Sequence, residues 1–321
     1  MNQNKKVAIG ILAFNEEDHI RKVISELSKI DKKIYVINDG SNDKTQEIIE
    51  NLSNEIDLTI LENTKNLGAG QSTLALLRKA KIDGYQYLLK VDGDDQFEIK
   101  DIEKILNLID QKNYDFIKSN RFWDGGIKGK IPNKRYIGNL FATILLQLIA
   151  GTNKLYDPLN GLFAININIL EKINKKYYPK RYGYPFYFSA LSAISFFNIY
   201  QINNIVSYGK ESSNLSSIKM LFTLTKLTFH FLFLKIRNKV TIGKYQRSAF
   251  LDIVFLFCLL FSILTFIRFI LIFTPLSFFN TSFIGSWALI LLILSIFTIF
   301  VFIESFKEEK SIRKQYIDSD E

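Results

Sequence analysis

Two aspartates separated by one residue, with an amide two places further on, form the group in this 321-residue chain best suited to chemistry: Asp92, Asp94 and Gln96 in the run KVDGDDQF. Their oxygens are hard ligands of the kind Mg2+ or Mn2+ takes. An ion held by so few protein groups keeps coordination positions for diphosphate oxygens. It then acts as a Lewis acid on a leaving group. The run follows directly on a β-rich apolar segment, Tyr85 to Val91, so it lies at the carboxyl edge where open α/β sheets bind ligands. Away from such an edge, an acidic triplet is usually a solvated turn.

Three other runs stand in the same relation to a strand or a helix start. In INDGSNDKT, Asp39 follows the apolar segment Lys33 to Asn38. A carboxylate there accepts hydrogen bonds from a base or a ribose, or serves as a turn and helix cap. In AFNEE, Ala13, Phe14, Asn15 and Glu16 close the first strand, and a helix N-terminus there would present amides to an anion. In NLGAGQS, Gly68 and Gly70 sit where the backbone must turn closely before a helix, which does not by itself indicate phosphate.

The elements that must position these residues follow from periodicity. Five short β-rich runs, Val7 to Ala13, Lys33 to Asn38, Asp57 to Glu62, Tyr85 to Val91 and Asp115 to Ser119, alternate with amphipathic helical patterns. That alternation predicts a parallel sheet with crossover helices. Ile20, Val23, Ile24 and Leu27, and likewise Ile102, Ile105, Leu106 and Ile109, form apolar stripes that belong to the core.

Two later segments differ in kind. Ile253 to Phe273 contains one charge and Phe283 to Ile303 none, and each is long enough to cross a hydrocarbon layer of roughly 30 Å as a helix. Lys235, Arg237, Lys239, Lys244 and Arg247 precede this hairpin, and Lys307, Lys310, Arg313 and Lys314 follow it, so both chain ends are expected on the cytoplasmic side. Two further apolar stretches carry polar stripes, Asn139, Thr143 and Gln147 in one and Lys219, Thr223, Lys226 and His230 in the other. They are expected to lie in the membrane interface, with packed helices of the soluble domain as the alternative. The expected boundaries are a catalytic domain over 1–217 with an interfacial helix near 137–150, an interfacial helix and basic linker over 218–247, a hairpin over 248–306 and a charged tail over 307–321.

Composition narrows the classes. The net charge of +9 is spread along the chain and flanks apolar runs, which points to a membrane surface and away from nucleic acid. The single cysteine, Cys258, lies within an apolar stretch and excludes an intramolecular disulfide.

In this combination and order the runs resemble the family 2 glycosyltransferases of the GT-A fold, in the branch of dolichol-phosphate mannose synthase and bacterial polyprenyl-phosphate sugar transferases. The resemblance covers about residues 5 to 220. It extends to SNRFWDGGIKGKIPNKR, with Arg121 and Arg135 about the paired glycines Gly125 and Gly126, and to DPLNG, with Asp157, Asn160 and Gly161. It also takes in SYGKESSNLSSIK, with Tyr208, Gly209, Glu211 and Ser213. Leu12, Phe14 and Asn38 depart from the family pattern, as do Tyr187 and Phe188, where relatives commonly place a carboxylate.

The resemblance implies a Rossmann-like, mostly parallel α/β sheet followed by interfacial helices and a two-helix transmembrane hairpin. It implies a nucleotide-sugar donor bound by Ala13, Phe14, Glu16, Asp39, Gly68 and Asp92, with Mg2+ or Mn2+ held by Asp92, Asp94 and Gln96. It implies a polyprenyl phosphate acceptor held by Arg121, Arg135, Asn139, Asp157 and Asn160, and inversion at the anomeric carbon with Asp92, Asp94, Arg121 and Arg135 as the catalytic set. An acceptor hydroxyl on a glycolipid or polysaccharide would instead require a carboxylate base, with Asp157 and Asp124 the candidates. A catalytically silent scaffold is favoured only where the metal ligands are missing.

Overall fold

The computed structural model describes residues 5–123, 126–128, 131–207, 217–242, 245–272, 284–314 and 316–319. Asp124, Gly125, Lys244, Tyr208, Gly209, Glu211, Ser213 and the 274–282 connection lie outside them. The chain divides into two units, Met1–Phe231 with Gln315–Glu321, and Leu232–Lys314.

In the first unit β1 (Val7–Ala13), α1 (Ile20–Leu27), β2 (Lys33–Asn38), α2 (Thr45–Ser53), β3 (Leu58–Glu62), α3 (Ala69–Ile82) and β4 (Tyr87–Asp92) form the first half of a doubly covered sheet. Then come α4 (Ile99–Gln111), β5 (Phe116–Asn120), β6 (Ile127–Lys128), α5 (Asn133–Ala150), β7 (Phe163–Asn166), α6 (Tyr184–Ile194), β8 (Ile199–Asn203), β9 (Val206–Ser207) and the start of α7 (Ser217–Ile242). The second unit holds the rest of α7, α8 (Gln246–Ile272) and α9 (Ile284–Arg313), after which β10 (Ile317–Ser319) belongs to the first.

The main sheet runs β10-β8-β5-β7-β4-β1-β2-β3, and β6 and β9 form a small separate pair. Every residue of β1 is buried, as an unbroken apolar run must be when helices cover both faces. The stripes on α1 and α4 are buried as their spacing requires. Each such side chain contributes roughly 1.5–3 kcal/mol by leaving water.

The sheet is mostly parallel, as expected, with two features the expectation did not include. β7 enters between β4 and β5 antiparallel to both, so the sheet is mixed. Its Phe163 lies in register with Lys90 of β4 on one side and Lys118 of β5 on the other. The end of the chain is also more than a tail, because β10 pairs in parallel with β8 at the sheet edge.

Of the two helices with polar stripes, α5 is turned opposite to a soluble helix, whereas α7 keeps its lysines outside. On α5, Asn139 and Thr143 are buried with Ala142 and Leu146, while Tyr136, Ile137, Leu140 and Ile144 are exposed. On α7, Leu224, Leu227 and Phe231 face inward, and Leu221, Phe222 and Phe229 are exposed beside Lys219 and Lys226.

In the second unit, α8 and α9 are the two helices long and apolar enough to cross a membrane among the described residues. They pair antiparallel, Asp252 accepting from Ser305 Oγ (2.6 Å), Phe255 against Phe302, and Ser262 bonded to Thr298 (3.1 Å). α9 continues to Arg313, well past the expected end at Ile303. Its last turns are made of good helix formers with Glu309–Arg313 and Glu304–Lys307 pairs. Lys235, Lys239 and Arg313, expected to flank the hairpin at the lipid surface, are buried. Lys239 reaches Asp252, Glu309 and Ser248, and Lys235 lies within 3.8 Å of Asp252, so these positive charges are paired with carboxylates inside the unit. Arg237, Arg247, Lys307, Lys310 and Lys314 remain exposed.

Candidate functional site

The carboxyl ends of β1, β2 and β4 are drawn together by main-chain bonds. Asp39 N donates to Ala13 O and Gly93 N to Leu12 O, both at 2.9 Å. The loop after β1 is not an open helix terminus. Asn15, at φ 56°, and Glu16 donate their amides to Ser41 Oγ (3.0 Å) and Thr45 Oγ1 (2.8 Å), and Asn15 Oδ1 receives Asn42 N (2.9 Å). Those amides are therefore engaged by side chains from the β2–α2 loop, and α1 begins only at Ile20. Ala13 is buried, Glu16 half-buried, and the Phe14 ring is exposed at the edge.

Asp39 is buried, and its carboxylate accepts from Asn63 Nδ2 (2.8 Å), Leu67 N (3.0 Å) and Gly68 N (2.9 Å). It organises the glycine-rich loop. Gly68 and Gly70 are there for close packing: a β-carbon would lie 2.3 Å from Arg181 Cγ at the first and 2.0 Å from Pro179 O at the second. The amides of Gly70 and Gln71, at the start of α3, donate to the carbonyls of Arg181 and Lys180. Arg181 in turn binds Asn66 Oδ1 (2.8 Å). The loop is thus a packed wall, with no phosphate cradle at this terminus.

Asp92 is the last residue of β4, with about a quarter of its side chain exposed. Lys90, two residues earlier on the same face and fully buried, places its ammonium on Asp92 Oδ1. Burial opposes that charge, but Asp92 and Tyr184 hold the lysine above its ordinary value. The ammonium lies 5.4 Å from the Tyr184 ring centroid, and burial raises the Tyr184 phenol. On the other side, Gly161 comes so close that a β-carbon would be 2.1 Å from Asp92 Oδ2. Asp94 and Gln96 follow, both half-buried, with Gln96 N reaching Asp94 Oδ1 (3.3 Å). Asp95, at φ 57°, pairs with Lys22 (2.7 Å) and pins the loop.

These oxygens fit a divalent ion. They are hard donors at a partly exposed strand end. Among the described residues no three His, Cys, Asp or Glu side chains are grouped to hold a metal by themselves. An ion held here would have coordination positions left for water and phosphate oxygens, as Mg2+ sites commonly do.

A second cluster, expected on the acceptor side, is built around Asp157. It is fully buried in a left-handed conformation, φ 49°. Its oxygens accept five hydrogen bonds: from Arg121 N (2.9 Å), Nε (2.8 Å) and Nη2 (2.8 Å), from Asn139 Nδ2 (2.8 Å) and from Asn160 Nδ2 (3.0 Å). Burial opposes its charge, yet the adjacent Arg121 guanidinium keeps the carboxyl below its usual range. Beneath it Lys118 donates to the carbonyls of Tyr156, Asp157 and Ser119 and to Gln201 Oε1, and burial pushes this lysine down to about 8. Arg135 stands half-buried in the first turn of α5, immediately before the exposed apolar face.

The structure brings Arg121, Asn139, Asp157 and Asn160 into one network. Within it Asp157, Asn139 and Asn160 are buried, and Asp157 holds the Arg121 guanidinium. The sequence reading missed Lys90, Lys118 and Tyr184. Two lysines inside otherwise apolar strands were the available signal, since a charged residue is almost never fully buried unless paired.

Residues 8–173 match the profile of the family described as Glycosyl transferase family 2. An uncharacterised protein of Methanocaldococcus jannaschii is 34% identical over 43% of this chain and 59% of its own length. A UDP-N-acetylglucosamine–dolichyl-phosphate N-acetylglucosaminyltransferase of Methanococcus voltae is 25% identical over 56% of this chain and 76% of its own. Among solved structures, glucosyl-3-phosphoglycerate synthase of M. tuberculosis aligns with TM-score 0.50 at 17% identity, covering 69% of this chain and 80% of that one, which is a likeness of fold.

Proposed function

Because the chain belongs to glycosyl transferase family 2, we propose that it moves a sugar from a nucleotide-sugar donor to a polyprenyl phosphate at a membrane surface, by one inverting displacement. The observation that carries this reading is the state of Asp157. A carboxylate has about four lone-pair sites. Here it receives five donors, is fully buried and is held ionised by Arg121. It has no capacity to take a proton from an acceptor hydroxyl. An acceptor phosphate needs no such base, because its oxygen is already anionic.

The roles follow from position. Phe14 and Glu16 border the nucleotide, and Asp39 acts on it through the 66–68 loop that it holds. Asp92, Asp94 and Gln96 would hold Mg2+ or Mn2+. That ion, when bound, supplies Lewis-acid stabilisation of the departing nucleoside diphosphate. Arg121, aligned by Asp157, and Arg135 orient the acceptor phosphate through fixed N–H donors. The apolar face of α5 begins one residue after Arg135. A phosphate on a lipid tail therefore meets its ligand at the bilayer surface. In this reading α8 and α9 cross the membrane, with the catalytic unit and both termini in the cytoplasm.

Protein reconstituted in nanodiscs with Mn2+ is given labelled nucleotide sugars, each with polyprenyl phosphate or with a hydroxyl-bearing glycolipid. Transfer to the phosphate is expected. Asp94→Ala removes metal-dependent transfer, and Arg135→Ala raises the KM for the phosphate about tenfold or more while leaving the donor KM near wild type. Transfer to the hydroxyl acceptor alone would overturn the proposal.

A further inference from the structure

Lys90 is fully buried and has no assigned part in the reaction as described. Yet it is bonded to Asp92 Oδ1 of the proposed metal site. The run that follows carries three carboxylates, Asp92, Asp94 and Asp95. Asp92 faces Lys90 and Asp95 faces Lys22. Lys22 comes from the outer face of α1 and is largely exposed, so its effect is screened by water and salt. Lys90 comes from within the sheet and is not screened. Tyr184 lies against the ammonium from α6, and the bare α-carbon of Gly161 closes on the remaining Asp92 oxygen.

This arrangement does more than select a rotamer for Asp92, which an uncharged donor would also do. A fixed positive charge in contact with a ligand carboxylate repels any second cation brought to that carboxylate, and it occupies one of its two oxygens. A divalent ion is then held poorly by the protein alone, and held well once a nucleoside diphosphate adds its negative charge. We propose that Lys90 is an internal counter-ion that makes metal capture conditional on the donor nucleotide, so that the ion enters with the donor and departs with the nucleoside diphosphate. The inference rests on the assignment of Asp92 and Asp94 as metal ligands. By linkage, the nucleotide and the ion strengthen each other by one common factor. Lys90 is a positioning residue that sets this factor.

The test is equilibrium binding of Mn2+, followed by electron paramagnetic resonance of the free ion, on the full-length protein without nucleotide and with UDP or GDP. Wild type is expected to bind Mn2+ at least about a hundredfold more tightly with the effective nucleotide than without it. In Lys90→Met, Mn2+ alone binds about tenfold more tightly than in wild type, and the nucleotide enhancement shrinks by the same factor. A purely structural role predicts the opposite, weaker binding throughout. The inference is overturned if Lys90→Met binds Mn2+ alone no better than wild type. It is overturned equally if wild type binds the ion as tightly without nucleotide as with it, a measurement that needs no variant to fold. Asp94→Ala separates the two ideas: undiminished Mn2+ binding with nucleotide in that variant removes the metal assignment itself.

Discussion

Gly161 has no side chain because Asp92 leaves no room for one. A β-carbon there would stand 2.1 Å from Asp92 Oδ2 and 3.1 Å from Lys90 Nζ, where ordinary contact begins at 3.4 Å, so alanine must displace the carboxylate by about 1.3 Å. Gly161 is not among the glycines with positive φ, so alanine suits its backbone and the conflict is purely one of space. Neither side can yield easily. Behind Asp92 is the fully buried Lys90. Behind Gly161 the chain is fixed by Asn160, which donates to Asp157 (3.0 Å) and accepts from Leu162 N (3.1 Å). Misplacing a group at a reacting centre by about 1 Å can lower the rate on the order of 100-fold, which is roughly 2.7 kcal/mol of barrier. The assay is kcat for sugar transfer in nanodiscs at saturating donor and acceptor over a range of Mn2+, with thermal melting alongside. We expect Gly161→Ala to lose about two orders of magnitude in kcat and to need more Mn2+, while melting within a few degrees of wild type. A kcat within threefold of wild type would show that Asp92 does not act where the diphosphate leaves.

Asp157→Asn puts an amide NH2 against at least two donors and strips the counter-ion from Arg121. It should cost about 3–5 kcal/mol, as breaking a buried ion pair does, and an unchanged melting temperature would contradict the network. Lys118 offers a pH test. Its proton is held at about 8 in the folded chain against an ordinary 10.5. The unfolded chain therefore binds the proton more firmly between those values, the buried charge destabilises fully below pH 8, and this contribution is relieved as pH rises towards 10.5. The stability difference between wild type and Lys118→Met should consequently shift towards wild type by up to about 1.4 kcal/mol per pH unit across that window; a difference flat from pH 7 to 10 would refute a buried charged lysine. Gly70→Ala, whose β-carbon would meet Pro179 O at 2.0 Å, should lower the melting temperature by several degrees, and a neutral result would mean that the α3 terminus is open.

How far the sequence could be read depended on whether the signal was local. β1 and β2 match their predicted limits because an apolar run bounded by charge and turn residues is self-announcing, and the stripes of α1 and α4 emerge from spacing alone. β7 was invisible for the converse reason. Four residues, FAIN, carry no period, and their place between β4 and β5 is decided by partners far away in the chain. α6 is buried on all sides, so it has no polar face to reveal its period. The acidic run, Arg121, Asp157 and Asn160 were found as residue types. What they touch was not legible, because the contacts of Asp92 with Lys90 and Gly161, and of Asp39 with the 66–68 loop, exist only once strands meet. Lys90 and Lys118 went unread within apolar strands, yet the first bonds Asp92 and the second lies beneath Asp157.

In the proposed reading, the orientation of α5 joins the acceptor chemistry to the membrane. An amphipathic pattern defines two faces without saying which one turns inward, and in a water-soluble domain the apolar face does so. Here the inward face must supply Asn139 to Asp157 and Gln147 to the Leu155 carbonyl. The polar stripe is therefore committed to the interior, and Tyr136, Ile137, Leu140 and Ile144 are left outside, each about half exposed or more. Leaving a large apolar side chain in water forgoes roughly 1.5–3 kcal/mol when exposure is complete. Partial exposure of four such groups still amounts to several kcal/mol, which contact with lipid would restore. On this argument the surface that meets the bilayer follows from the network that aligns Arg121. A variant carrying serine at Ile137, Leu140 and Ile144 should keep its donor KM and its fold, yet use a lipid-tailed phosphate acceptor far less well than a short water-soluble one. Equal losses with both acceptors would disconnect the helix face from the lipid.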